Sequence, residues 1–241
     1  MTRDPKNYII FPLDMPDYDR AMRYVEELSS HVGLFKVGLE LFIGQGPVIL
    51  NAIKNAGPAQ IFLDLKLHDI PATVKRAFSA ARKHNVRFVT IHCDAGEAAL
   101  KQASLISSDQ TQILAVTVLT SMDSTALQSL GYAPEYAKDI SKLVLLRAQL
   151  AKNAGCHGVI CSGREISILR STLGPDFIIV TPGIRPSWSV VGNDDQKRIV
   201  TPAEAVKSGA DYVVIGRPIR DASSPADAAK KVAEEIANVI F

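Results

Sequence analysis

Residues 61–67 read Ile61-Phe62-Leu63-Asp64-Leu65-Lys66-Leu67. Side chains alternate faces along an extended strand, so Ile61, Leu63, Leu65 and Leu67 share one side and Phe62, Asp64 and Lys66 the other. The aliphatic row suits a face covered by helices. The opposite row ends in two charges at the C-terminal end of the strand. The pattern recurs upstream. In residues 8–14, Ile9, Phe11 and Leu13 face outward and Asp14 points in at the tip; in residues 34–38, Lys36 faces inward between Phe35 and Val37. Charged groups collecting at the C-terminal mouth are what a barrel active site requires.

Short apolar runs of this type alternate with longer amphipathic stretches along the whole chain. Strands are expected at residues 8–14, 34–38, 60–66, 87–92, 112–119, 158–162, 177–181 and 212–216. Helical patterns lie between them at 18–30, 73–83, 97–107, 140–153, 202–208 and 225–239. The fifth interval is wider and leaves room for an extra short helix. Strands separated by helices give βα units and a parallel sheet. Eight units fit an α/β fold of the (β/α)₈ TIM-barrel type in count and length. A doubly wound open sheet is the runner-up, but the turn after strand one, Asp14-Met15-Pro16-Asp17, lacks its glycine fingerprint. No linker is visible, so residues 1–241 are read as one catalytic domain.

Composition excludes several classes. At roughly 150 residues per domain, 241 residues allow one large or two small domains. The 47% hydrophobic content is that of a globular chain. A net charge of +2 gives no electrostatic case for nucleic acid or a membrane surface. Three cysteines, Cys93, Cys156 and Cys161, lack C-x-x-C spacing, so reduced thiols in a cytoplasmic protein are expected. Neither a signal peptide nor a membrane span is expected.

The run Asp64-Leu65-Lys66-Leu67-His68-Asp69 reads D-x-K-x-x-D. Two carboxylates and a lysine that close together are costly to bury unless mutually compensated. Lys36 on the neighbouring strand supplies a second cation. An alternating lysine–aspartate array would satisfy the charges, each close pair contributing on the order of 4 kcal/mol before desolvation. The bland alternative is a surface salt-bridge cluster. At the other side of the mouth, Gly183 after strand seven and Gly216-Arg217 after strand eight mark the usual barrel phosphate site. Glycine lets backbone N–H groups approach the oxygens, and arginine can clamp them bidentately. Residues 184–200, with Arg185, Gly192, Asn193 and Gln196, are polar and aperiodic and read as a lid. Arg164, Arg170, Lys197 and Arg198 read as solvated charges. Trp188 is either lid packing or an exposed anchor.

With these residues in place, the chain resembles the orotidine 5′-phosphate decarboxylase family over nearly its whole length. The resemblance rests on Leu13-Asp14, Phe35-Lys36-Val37-Gly38, the run from Phe62 to Thr73, Val116-Thr117-Val118-Leu119-Thr120-Ser121, Thr181-Pro182-Gly183-Ile184-Arg185-Pro186 and Ile215-Gly216-Arg217-Pro218. It departs at Pro12, where the family usually has alanine and where a proline removes a ladder donor and leaves the pairing open. It departs again at Cys93-Asp94, which replace small residues after His92. A His/Cys/Asp metal site there would need three adjacent residues to converge on one ion, so His92 is expected to be an interior barrel residue.

The resemblance implies decarboxylation of orotidine 5′-phosphate to UMP, with no cofactor and no metal. The C6 carbanion has no adjacent carbonyl or imine as a sink, so stabilisation must be electrostatic, with on the order of 20 kcal/mol at stake. It assigns Lys66 as the group that stabilises and protonates C6, oriented and kept charged by Asp64 and Asp69, with Lys36 balancing Asp64. Asp14 and Lys36 would bind ribose hydroxyls and Thr120 the pyrimidine. Arg185, Gln196, Gly216 and Arg217 would hold the phosphate. It further implies a two-fold homodimer in which Asp69 and Thr73 reach into the partner's site. The alternative enzyme is a magnesium-dependent sugar-phosphate decarboxylase of the same barrel group, in which a metal-binding carboxylate replaces Lys36. A non-catalytic nucleotide-binding barrel is a third reading, and leaves a lysine held between two aspartates without a purpose.

Overall fold

Ile61 and Leu63 are buried between sheet and helices with Leu65 and Leu67 packed against that layer, whereas Phe62 lies in a separate apolar cluster within the sheet. The structure, a computed structural model, describes residues 3–189 and 200–240. Eight strands pair in parallel, in chain order: β1 (Ile9–Pro12), β2 (Leu34–Val37), β3 (Gln60–Leu67), β4 (Phe88–His92), β5 (Gln112–Val116), β6 (Gly158–Ile160), β7 (Ile178–Thr181) and β8 (Tyr212–Val214). β8 pairs back onto β1, so the sheet is a closed barrel of the (β/α)₈ type. Ile10, Leu34, Phe62, Phe88, Leu114, Val180 and Val214 fill its interior. The charges above them therefore rest on a packed floor.

The outer layer comprises α1 (Tyr18–Leu28), α2 (Leu39–Gln45), α3 (Val48–Ala56), α4 (Pro71–Arg82), α5 (Glu97–Ser104), α6 (Ser124–Ser129), α7 (Pro134–Lys138), α8 (Ile140–Asn153), α9 (Ile166–Leu173), α10 (Pro202–Lys207), α11 (Arg217–Arg220) and α12 (Pro225–Ile240). The wide interval after β5 holds two short helices, α6 and α7. Among the described residues no helix is long and apolar enough to cross a membrane.

Several strands end earlier than alternation suggests. β5 stops at Val116 instead of 119 because the carbonyl of Thr117 accepts from the buried Arg147 guanidinium. β1 stops at Pro12, which still pairs with Lys36, and Leu13 N–H donates to Lys36 O at 2.9 Å. Alternation turns the proline nitrogen toward β8, where pairing ends at Ile10 and Val214. Ile215 N–H still donates to Ile10 O at 3.0 Å, and the ladder stops there because the next donor would be the proline nitrogen.

Arg170 is not a solvated charge. Its guanidinium donates to the carbonyls of Gly174, Pro175, Phe177 and Gly209 and pairs with Asp211 Oδ2 at 2.6 Å. It ties the end of α9 to the chain entering β7 and β8. Five fixed donors in one plane suit such a junction of carbonyls.

Candidate active site

The pairing of β3 with β4 is regular up to Leu63 and Val89, then resumes at Leu67 and Ile91. Four steps along β3 are spanned by two along β4, a bulge that lifts Asp64, Leu65 and Lys66 at the mouth. Within it Lys66 has φ 49°, the left-handed region that costs a non-glycine residue about 1–3 kcal/mol. Its N–H donates to Thr90 Oγ1 at 2.8 Å, and the same hydroxyl donates to Asp64 Oδ1 at 2.9 Å. The other oxygen, Asp64 Oδ2, lies 2.7 Å from Lys66 Nζ. Thr90 is fully buried and Asp64 nearly so.

Lys36, on β2, reaches Asp64 Oδ2 at 3.7 Å and Asp14 Oδ1 at 2.8 Å. Four side chains thus alternate in sign along the mouth: Asp14, Lys36, Asp64, Lys66. Side-chain exposure is 9% for Asp64 and 13% for Lys36 but 35% for Lys66 and 57% for Asp14, so the middle of the line is buried and both ends open. A buried carboxylate between two ammonium groups and a hydroxyl is compensated, and removing one partner of such a set costs about 3–5 kcal/mol. Gly38 permits the arrangement. A Cβ there would stand 3.2 Å from Lys36 Nζ and 3.3 Å from Asp14 Oδ1.

The array borders a cavity of about 220 Å³, lined by Lys36, Asp64 and Lys66 on one side and by Val118, Thr120 and Pro182 on the other. A second cavity of about 400 Å³ shares Thr120 and Pro182 with the first and extends to Gly183 and Val200. Together they form a two-lobed cleft of the size that small-molecule ligands occupy.

Thr120 is exposed at the junction of the lobes, beyond β5. Gly216 and Arg217 lie after β8, with Arg217 exposed; a Cβ on Gly216 would come within 3.0 Å of Pro12 Cγ. Arg185 is buried, its Nη1 donating to Ile184 O at 3.1 Å, and it lines neither lobe. Gln196, with Gly192 and Asn193, lies outside the described residues.

Asp69 is not brought to Lys66 of its own chain. It is exposed, and Oδ1 accepts the N–H of Ile70 at 2.6 Å. Thr73, on the first turn of α4, accepts from Arg76 at 3.3 Å. Ile70 between them is 66% exposed.

Two features of the site escaped the sequence reading. Thr90 is the first. The alternation Phe88, Thr90, His92 on β4 puts a hydroxyl inward at the level of Asp64, a signal available once the register of β3 and β4 is known. The second is the partner of Asp94. Its carboxylate receives the buried Arg147 guanidinium and the Tyr132 hydroxyl, while Oδ2 lies 3.2 Å from His92 Nδ1. This accounts for an aspartate where small residues were expected: it compensates a buried arginine. His92 is half-buried and stacked on His68 at 5.6 Å. Burial lowers its pKa, with Arg147, His68 and Lys66 acting the same way against Asp94. Burial pushes the Cys93 thiol up to about 12, so it offers no thiolate for metal or nucleophilic chemistry at neutral pH. Among the described residues no group of three or more His, Cys, Asp or Glu converges as a metal site.

Comparison with known proteins gives the family. The family model described as orotidine 5′-phosphate decarboxylase / HUMPS matches residues 7–232. The chain is 47% identical over 236 residues to the orotidine 5′-phosphate decarboxylase of Desulfosudis oleivorans, covering 98% of this chain and 95% of the relative. It is 46% identical to that of Trichlorobacter lovleyi, with 98% of each covered. The crystal structure of the orotidine 5′-phosphate decarboxylase from Lactobacillus acidophilus superposes with a TM-score of 0.80 at 33% identity, covering 95% of this chain and 98% of that one. On agreement of that extent, the chain belongs to the orotidine 5′-phosphate decarboxylase / HUMPS family.

Proposed function

We propose that this protein decarboxylates orotidine 5′-phosphate to UMP, with Lys66 as the proton donor. The observation that carries the reading is the alternating line Asp14, Lys36, Asp64, Lys66, whose Lys66 end opens into the cleft. With the pyrimidine in the smaller lobe and Thr120 on its edge, the Lys66 ammonium faces C6. The C6–carboxylate bond breaks, its electron pair stays on C6, and carbon dioxide leaves. The ammonium stabilises the developing charge and then delivers its proton to C6, the amine being reprotonated from solvent. Because the ammonium is already fixed by Asp64, little reorganisation is needed as charge develops.

Asp14 and Lys36 bind the ribose hydroxyls. Arg185, Gln196, Gly216 and Arg217 take the phosphate, whose binding energy orients the base. Arg185 would have to turn from its present buried contact to do so. A magnesium-dependent sugar-phosphate decarboxylation is not supported: the Lys36 ammonium lies between Asp14 and Asp64, where a bridging cation would sit. Relatives at 46% and 47% identity are named for the orotidylate reaction.

The site is completed across a two-fold dimer in which the partner's Asp69 and Thr73 approach Lys66. This is supported by an exposed Asp69 carboxylate whose recorded bond is to the N–H of Ile70, not to Lys66 of its own chain, and by the exposed Ile70 beside it. Residues 1–241 act as one catalytic domain in a reducing, cytoplasmic setting, in keeping with three free cysteines.

The test is the loss of orotidylate absorbance on adding the enzyme, with chromatography for UMP. Turnover is expected with and without EDTA. Absence of UMP, or activity abolished by EDTA and restored by magnesium, would overturn the reading.

A further inference from the structure

The hydroxyl of Thr90 differs from those of the buried Thr111 and Thr117. Thr111 and Thr117 each donate to a main-chain carbonyl, of Val86 and Ile160, at 2.7 Å. That is the ordinary way for a buried threonine to be satisfied. Thr90 instead spends both functions on the charged array, accepting Lys66 N–H at 2.8 Å and donating to Asp64 Oδ1 at 2.9 Å. It stands at the boundary between the apolar floor at Phe62 and Phe88 and the charged mouth above. The two residues it holds are 24 and 26 positions away in sequence.

Each bond does a separate job. Accepting the Lys66 N–H offsets the left-handed backbone of the bulge, with φ 49°, and so fixes where the lysine side chain begins. Donating to Oδ1 fixes the rotation of the Asp64 carboxylate, whose Oδ2 then faces Lys66 Nζ at 2.7 Å and Lys36 Nζ at 3.7 Å. One hydroxyl therefore sets both ends of the Lys66 side chain, its root through the backbone and its tip through Asp64.

We propose that Thr90 is a positioning residue for the chemical step, acting through Lys66 and Asp64 without touching substrate. The inference rests on the assignment of Lys66 as proton donor. A misplaced ammonium harms the transition state more than the ground state, so the loss falls on kcat.

Thr90→Val keeps shape and removes the hydroxyl; Thr90→Ser restores it. The expected result for Thr90→Val is a kcat reduced by about tenfold or more, with the Kd for UMP within about threefold of wild type. Thr90→Ser should recover most of that loss. Should Thr90→Val not fold, Thr90→Ala is read in the same way, with circular dichroism and Tm certifying both proteins. A folded hydroxyl-free variant with wild-type kcat overturns the proposal. So does a loss matched by an equal loss of UMP affinity, or a serine variant no better than valine, since either marks a merely structural residue. Lys66→Ala is assayed alongside. If it is active, the proton-donor assignment and this inference both fall; if it is inactive while Thr90→Val is unimpaired, only this inference falls.

Discussion

Lys66 holds its ammonium 2.7 Å from Asp64 Oδ2, two residues back along the same strand. Neighbours at that spacing on a flat strand point the same way but stand roughly 7 Å apart at Cα. The left-handed backbone at Lys66 and the bulge in β3 bring the heads together. The carboxylate then has its second oxygen free for Thr90, and the ammonium retains an open side toward the cleft.

Lys66→Ala is expected to reduce turnover by several orders of magnitude in a protein that still folds and binds UMP, with Tm lowered because Asp64 loses one of its partners; the loss of turnover follows from the assignment of Lys66 as the proton source beside C6. Single-turnover assays against circular dichroism check it. Turnover within about tenfold of wild type would mean that the proton comes from elsewhere.

Arg217→Ala should lower kcat/KM for orotidine 5′-phosphate by about a hundredfold or more, since an exposed guanidinium beyond β8 is lost from phosphate capture. Orotidine, which has no phosphate, is the control. Its slow decarboxylation should be almost unaffected by the substitution; equal losses on both substrates would assign Arg217 to the fold.

Gly38→Ala probes the Lys36–Asp14 pair. Glycine here has φ −89°, a conformation alanine adopts freely, so the effect comes from the Cβ placed 3.2 Å from Lys36 Nζ and 3.3 Å from Asp14 Oδ1. Alanine at the cap of α2 costs about 1 kcal/mol, or roughly 2–4 °C in Tm. KM should rise by more than kcat falls if the displaced pair binds the ribose, as proposed above. An unchanged KM argues that the pair does not bind substrate.

Acidification should destabilise the fold above the carboxylate range. Burial is the main cause of the lowered pKa at both His92 and His157, so each binds its proton more weakly in the folded chain than in the unfolded one. Their contribution is complete above the ordinary value of 6.5 and is lost as pH falls toward the folded values. Urea midpoints at pH values on either side of 6.5 should fall toward acid, and His157→Gln should flatten the slope. A pH-independent midpoint would contradict the burial argument.

Shared sites predict complementation. Lys66→Ala and Asp69→Ala proteins, each nearly inactive, are mixed under conditions that exchange subunits. Half the dimers become mixed, each with one intact site of two, so about a quarter of wild-type activity should return. Activity remaining at the parental level, with exchange demonstrated by mass-labelled subunits, would show that Asp69 serves its own chain.

Side-chain alternation in Ile61 to Leu67, repeated around Asp14 and Lys36, is a local property of the chain, and it carried the barrel, the inward rows and the charged mouth. The D-x-K-x-x-D spacing and the glycines after β7 and β8 were likewise readable without coordinates. Periodicity was weakest where elements are short. Gly46-Pro47 separate α2 from α3, and α2 buries only Leu41, so neither helix stood out. What tertiary structure alone decided is the register between strands. It opens the β3 bulge, sets Thr90 opposite Asp64, and joins Asp94 to Arg147 across 53 residues. Those relationships depend on which strand lies beside which and at what offset, and a hydrogen bond between distant segments leaves no periodic trace in either one.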